Sequence, residues 1–414
     1  LTTRRQRQMC IRDRFNPNLG DGRAILLGEI ENLDIQLKGI GQTPFSRRGD
    51  GKSALSPVLR EYIVSEFMHS AGIPSTRSLL ALKTNETVIR ETEQSGGILA
   101  RVAKSHIRIG TFEFAAMQGI GILKKLADYS IRRHYPDLEN TNEKYLQFFA
   151  EVCKSQTKLV SKWMNIGFVH GVMNTDNVTI SGETIDYGPC AFMDNYDPKT
   201  VFSSIDVAGR YCYANQPAIL VWNLSKLAET LIPLIDDEEQ KSIEKLTEVL
   251  QQIMPSYEKY YYSAMGKKLG IDPISQNNIN LVKSYLQILE SNSIDFTLSF
   301  RDLAKVFNKT KNIEDSVFAN LDDFKRWHED WKTQIISENT NLKNITRKMD
   351  LTNPCYIPRN HIIENVLENA VNGDMSLANE ILDLYKDPFS ENDNNEFFKN
   401  PSKTNVPYVT YCGT

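Results

Sequence analysis

The sequence predicts an α+β protein in which a small strand-rich lobe precedes a larger helical one. Three observations carry that expectation. Up to about Gly110, short runs alternate apolar and polar residues, as half-buried strands do. Beyond it, apolar residues recur at helical spacing. Interrupting the helical part is His170–Pro189, which sets Asp176, Asn177 and Asp186 around a short apolar segment that reads as a hairpin.

In chain order, Ala24–Ile30 and Leu33–Leu37 read as strands around Glu31-Asn32. A glycine-rich segment, Gly39–Gly51, separates them from a helix whose start is expected at Ser56-Pro57. Its apolar face is Val58, Leu59, Tyr62, Ile63 and Phe67, and Gly72-Ile73-Pro74 ends it. Leu79–Lys83 and Thr87–Arg90 suggest a hairpin, and Ile98–Arg108 a further strand region. Helical periodicity covers Phe112–Leu126, Asn142–Ile166, Val221–Leu231 and Asp237–Met254. It returns at Ile279–Glu290, Leu321–Glu338, Arg359–Asn372 and Met375–Tyr385. The polar stretch Glu391–Lys403 reads as a loosely held loop.

The expected organisation is a non-native leader over 1–14 and a nucleotide-binding N-lobe over 15–110, truncated at its N-terminus. A C-lobe with the acidic loop follows over 111–230, and its helical continuation over 231–414. The leader, LTTRRQRQMCIRDR, has five arginines and no apolar stretch, so it is not a secretory signal. It resembles translated sequencing adaptor, and a native N-terminal stretch is expected to be missing.

With 414 residues, 41% hydrophobic and 24% charged, the chain has the composition of a globular protein with a large core. A net charge of −4 gives no reason to expect a nucleic-acid partner, and without an unbroken apolar run of about 18 residues no membrane span is expected. Six cysteines without a CxxC pair fit a reducing compartment. Oligomeric state is not legible.

Oxygen ligands on neighbouring backbone segments suit a magnesium or manganese ion carrying a nucleoside triphosphate, whereas zinc would call for thiolates or imidazoles. Gly20-Asp21-Gly22-Arg23, at a turn into a strand, is a candidate phosphate loop, although a lone GxG also serves as an ordinary turn. Lys38 ends an alternating strand where it could reach a phosphate, with Glu61 as partner; an exposed lysine and glutamate are the ordinary alternative. Arg101 and Arg108 lie seven apart. One continuous strand would put them on opposite faces; a bend or a helical turn could bring both inward. Asp50-Gly51 reads as a turn or as a second phosphate-contacting loop. His170 is expected to orient the acidic loop by hydrogen bonding.

These residues lie in strings that closely resemble the selenoprotein O (YdiU) family. They include LGDGRAILLGE (19–29), QLKGIGQTPFSRRGDGKSAL (36–55), RVAKSHIRIGTFE (101–113) and HGVMNTDNVTISGETIDYGPCAFMDNYDP (170–198). The resemblance runs from about residue 15 to 414. It implies a protein-kinase-like bilobal fold that binds ATP in a flipped orientation. The implied activity is transfer of AMP, or of UMP from UTP, to hydroxyls of protein substrates in the bacterial cytoplasm, or in the mitochondrion of a eukaryote. It further implies Asp176 as general base, Asn177 and Asp186 as metal ligands, and Lys38 as nucleotide-binding lysine paired with Glu61. Gly20, Gly22, Arg23, Asp50, Gly51, Arg101, Arg108 and Asp186 match nucleotide-contacting positions. Relatives carry a cysteine near Phe202 that would pair with the C-terminal cysteine. VFSSID (201–206) has none, which removes that partner for Cys412 unless Cys190 or Cys212 substitutes.

A kinase catalytic loop, His-x-Asp-x-x-x-x-Asn, would place its base third from His170, where Val172 stands; only the eighth-position Asn177 remains. A conventional phosphotransferase and a silent nucleotide-binding scaffold are therefore the alternatives to nucleotidyl transfer.

Overall fold

The computed structural model describes residues 21–46, 49–271, 275–338, 341–392, 395–403 and 408–410. The leader, Gly20 and Cys412 lie outside them. The architecture is mixed α+β: one antiparallel five-stranded sheet near the start, then a largely helical remainder.

Strands β1 (Ala24–Ile30) and β2 (Leu33–Lys38) form the expected hairpin. Glu31 and Asn32 both adopt positive φ, 50° and 65°, as a two-residue turn matched to strand twist requires. Strand β3 (Ser53–Ala54) leads directly into helix α1 (Leu55–Ser70), with Pro57 in the first turn, where a missing N–H is harmless. Strands β4 (Arg77–Ile89) and β5 (Glu93–Ala103) complete the sheet. β2 and β3 pair with β5 along one edge and β4 pairs with it along the other. Gly97 is required here, because a Cβ on it would run into the backbone of Leu55 at the start of α1.

The hairpin expected within 79–90 is instead one strand. Thr84-Asn85-Glu86 forms an irregularity in its pairing with β5, and the true turn lies between β4 and β5. Polar residues in mid-strand looked like a turn because this part of β4 faces solvent.

The helical part opens with α2 (Ile109–Met117) and α3 (Ile120–His134), where one helix over Phe112–Leu126 was expected; Gly119, at φ 107°, breaks it. Helix α4 (Lys144–Asn165) runs through the core, burying Phe148, Phe149, Val152, Val160 and Trp163. Helix α5 (Gln216–Ile235) is apolar enough over Tyr213–Ile235 to meet the length and composition of a membrane span, yet it packs against α2, α4 and α6 (Glu239–Gln251) as a core helix. Helix α7 (Ile253–Lys268), with Pro255 in its first turn, has no counterpart in the sequence reading, which ended the preceding helix at Met254.

Five helices follow: α8 (Gln276–Ser291), α9 (Phe296–Phe307), α10 (Asp322–Glu338), α11 (Leu342–Thr352) and α12 (Asn360–Val371). After them come α13 (Ser376–Leu384) and the single turn α14 (Glu396–Lys399). Helix α12 returns to pack on α1, so the last third of the chain braces the first. Arg60 of α1 donates to Glu364 of α12 (3.0 Å) and to the Cys190 carbonyl (2.7 Å).

The segment from Glu391 is held, not loose, in its described residues. Glu391 accepts from Arg301 (3.1 Å), Lys305 (2.5 Å) and Lys399 (2.7 Å), Asn392 pairs through its backbone with the Tyr356 hydroxyl, and Phe398 is buried. Its charges looked solvated because their partners lie about ninety residues earlier, on α9.

Burial alone would raise the Glu391 carboxyl, but hydrogen bonds from Lys305, Lys399 and Arg301 lower it from 4.5 to about 2. A depressed carboxyl stabilises the fold fully above 4.5 and loses that contribution as pH falls toward 2. Glu391→Gln is therefore expected to show a flatter dependence of melting temperature on pH across that window than the parent. Parallel curves would show that the three cations contribute nothing through this carboxylate.

Candidate active site

The period-2 alternation of β2 sends Asp34, Gln36 and Lys38 to one face, where all three are buried, and Leu33, Ile35 and Leu37 to the other. Pairing of Gln36 with Arg101 in the β2–β5 ladder sets Arg101 on the same inner face. Helix α1 brings Glu61 against them. The Lys38 Nζ donates to Glu61 Oε2 at 2.6 Å and to Asp186 Oδ1 at 2.5 Å. Lys38 and Glu61 are thus a buried pair and not the exposed residues their types would suggest.

Arg101, only 1% exposed, joins four segments. Its Nε donates to Gln36 (2.6 Å), one terminal nitrogen to Glu61 (3.1 Å) and Asp186 (3.0 Å), and the other to Asp21 (2.8 Å). The bend needed for Arg108 is present. β5 stops at Ala103, and His106 and Arg133 clamp the following turn through Asp34 (2.9 and 2.8 Å). Arg108 then caps α2 and donates to the same Asp21 oxygen at 2.6 Å.

The acidic loop is framed by β6 (Phe168–Val169) and β7 (Ala191–Phe192), which pair antiparallel. Inside it, no ladder forms across the expected hairpin. Its two arms pair outward instead, Thr179 with Arg108 and Thr184 with Ser75. Gln216 of α5 pins the loop's start, donating to the Phe168 carbonyl (2.9 Å) and accepting from the His170 N–H (3.0 Å). His170, fully buried, contacts the Ile185 carbonyl through Nε2 at 2.9 Å, the orienting role expected of it. Its neighbour along that strand of contacts, Asp186, sits at φ 61°, a left-handed conformation that costs a non-glycine residue about 1 kcal/mol.

Burial would raise the Asp186 carboxyl; Lys38, Arg101 and Arg108 outweigh it and hold the group well below the usual carboxylate range. Burial likewise opposes ionisation of Asp21, and Arg108 with Arg101 overcomes it. Three cations and three carboxylates (Asp21, Glu61, Asp186) therefore balance in the network.

Asp176 and Asn177 lie on one turn of 3-10 helix, Thr175–Asn177, with the Asp176 N–H donating to Asn174 Oδ1 (3.1 Å). The Asp176 carboxylate rests against Gly110, where any side chain would collide with it. Asn177 donates Nδ2 to the Val172 carbonyl (2.9 Å), which fixes its Oδ1 as the oxygen left for a ligand. Asp186 keeps Oδ2 clear of Lys38 and Arg101, which both take Oδ1. One amide and one carboxylate oxygen fit a hard cation that fills its remaining positions with water and phosphate oxygens. Among the described residues no group of three or more His, Cys, Asp and Glu forms an all-protein cage.

The remaining candidates lie outside the network. Gly22 accepts from Ser46 Oγ (2.5 Å) and the Arg23 carbonyl from the Gly39 N–H (2.7 Å), so the turn into β1 is tied to the glycine-rich segment. Asp50 forms a separate pair with Arg90 (2.8 and 3.1 Å), and Gly51, at φ 67°, has no room for a Cβ against the Gly41 carbonyl. Cys190 and Cys212 are both free thiols; burial pushes the Cys190 thiol up to about 12. Sequence reasoning missed Asp21 and Gln36. The glycines on either side drew attention from the aspartate, although Gln36 shares the period-2 face of Lys38.

Buried cations set against the acidic loop suit the class of proteins that bind phosphate groups. Comparison with known proteins narrows the class. The protein adenylyltransferase SelO family matches residues 13–386. The chain is 47% identical over 403 residues to the protein nucleotidyltransferase YdiU of Clostridium perfringens strain SM101, covering 96% of this chain and 81% of the relative. The corresponding proteins of Bacillus cereus strain ATCC 14579 and Bacillus thuringiensis subsp. konkukian are 46% identical over 404 residues, covering 96% of this chain and 82% of each relative. The chain belongs to the SelO family of protein adenylyltransferases and is a protein nucleotidyltransferase.

Removing one partner of a buried pair leaves an unmatched charge. Lys38→Met is expected to cost about 3 kcal/mol in urea unfolding. Adding Glu61→Gln should restore part of that loss, because one stranded carboxylate is then gone. Losses that simply add would show that Lys38 and Glu61 do not stabilise each other.

Proposed function

We propose that the enzyme transfers AMP from ATP, with UTP as a second donor of UMP, to Ser, Thr or Tyr hydroxyls of protein substrates. The observation that carries the reading is the Lys38–Glu61–Asp186–Arg101 network, with Asp176 and Asn177 on a turn earlier in the loop that bears Asp186. A sheet with a helix bearing the lysine's partner, followed by a helical part bearing the acidic loop, supports a protein-kinase-like bilobal fold with the nucleotide between the two.

In this reading Lys38, Arg101 and Arg108 hold phosphate oxygens, and the turns at Gly20–Arg23 and Asp50-Gly51 flank them. Asn177 and Asp186 hold magnesium or manganese, which supplies charge neutralisation for the phosphates. Because the network's own charges balance, that neutralisation is what a triphosphate lacks here. Asp176 accepts the hydroxyl proton as the substrate oxygen bonds to the α-phosphorus. The bond from that phosphorus to the bridging oxygen breaks, and pyrophosphate leaves with the electron pair. His170 and Gly110 act by keeping the loop and the Asp176 carboxylate in place. The bacterial relatives favour a cytoplasmic setting.

ATP labelled at the α- or the γ-phosphate tests the reaction. Transfer of α-label to protein supports nucleotidyl transfer; γ-label passing instead would establish a kinase, and neither passing would leave a binding scaffold. Asp186→Ala is expected to abolish metal-dependent nucleotide binding, and retained binding would remove it from the metal site. Asp176→Ala should spare binding while slowing transfer about 10²–10⁴-fold, the scale of general-base removal. An unchanged rate would assign the proton to another group.

A further inference from the structure

We propose that Asp21 is a positioning residue for nucleotide phosphates: its carboxylate holds the Arg101 and Arg108 guanidinium groups side by side so that both address a polyphosphate. The inference rests on the nucleotide-site reading above and adds a residue to it.

Two buried guanidinium groups repel one another, and each would separate if nothing stood between them. One Asp21 oxygen accepts from both, at 2.8 Å from Arg101 and 2.6 Å from Arg108. The Gln36 amide lies 3.4 Å from the same oxygen and also accepts from Arg101, so the anion is braced from the strand side. The backbone is fixed as well: Thr43 donates to the Asp21 carbonyl (2.7 Å) and Ser46 to that of Gly22 (2.5 Å). A carboxylate on so restrained a turn acts as a fixed post.

What the post leaves over points to a ligand. Arg101 has spent its Nε and most of its terminal N–H groups on Gln36, Glu61, Asp186 and Asp21. Arg108 has spent one terminal nitrogen, and its Nε is buried without a partner among the described residues. A buried guanidinium N–H without an acceptor is costly, and a phosphate oxygen is the acceptor this reading provides. Asp21 thus orients Arg108 toward phosphate while Arg101 carries the same alignment through to Asp186.

Calorimetric titration with ATP, ADP and AMP, each with magnesium, tests this on the parent chain and on D21A and D21N. The expected penalty grows with the number of phosphates, reaching about 10- to 100-fold for ATP in D21A, the scale of a lost charge-assisted contact. D21N keeps the shape and should show the same gradation in weaker form, so it carries the test if D21A does not fold. In an Arg108→Ala background, D21A should add little further loss. An equal penalty for all three nucleotides would overturn the proposal, as would tighter ATP binding, which would make Asp21 a competitor of phosphate. Transfer of α-label by the parent, measured separately, tells failure of this proposal from failure of the nucleotidyl-transfer reading.

Discussion

The site depends on one enclosed guanidinium. Arg101 is the point at which the β1 turn, strand β2, helix α1 and the acidic loop meet, through Asp21, Gln36, Glu61 and Asp186. An arginine with so little water around it is tolerated only because four acceptors surround it; burial lowers its affinity for the proton, and Asp186, Asp21 and Glu61 more than restore it. The Asp186 and Asp21 carboxylates are in turn kept ionised by the cations. The network therefore holds its charge state and its geometry together.

The helical remainder serves this arrangement from outside. Gln216 fixes the entry to the acidic loop, and Asn223 of the same helix donates to the Met173 carbonyl at 2.9 Å. Next to Glu61 on α1, Arg60 reaches α12 and the Cys190 carbonyl. Tyr408 accepts a further hydrogen bond from Arg60, and Thr410 donates one to the Pro189 carbonyl. The helix that presents Glu61 and the loop that presents Asp186 are thus tied to common elements, which explains how a left-handed aspartate can be maintained without relaxing.

Much of this was legible in the sequence where local pattern dictates structure. The β1–β2 hairpin follows from alternation around Glu31-Asn32, and the inward set of Lys38 from the same period. Asp176, Asn177 and Asp186 stood out as polar groups in an apolar stretch, and the roles proposed for them rest on the family strings. What could not be read depends on distant partners. Asp21 matters only because Arg101 and Arg108 converge on it, and that convergence needs the Asp34 clamp on the bend after β5. Glu391 looked solvated for the same reason, two of its three cations lying on α9. Asp50 lies in a pair with Arg90 nearer the surface, apart from the Arg101 network.

The most direct measurement is a crystal structure with a non-hydrolysable ATP analogue and magnesium. The account predicts phosphate oxygens on Lys38, Arg101 and Arg108, a cation between Asn177 and Asp186, and the α-phosphorus facing Asp176. A γ-phosphorus in that place, or a nucleotide bound away from the Arg101 network, would contradict it.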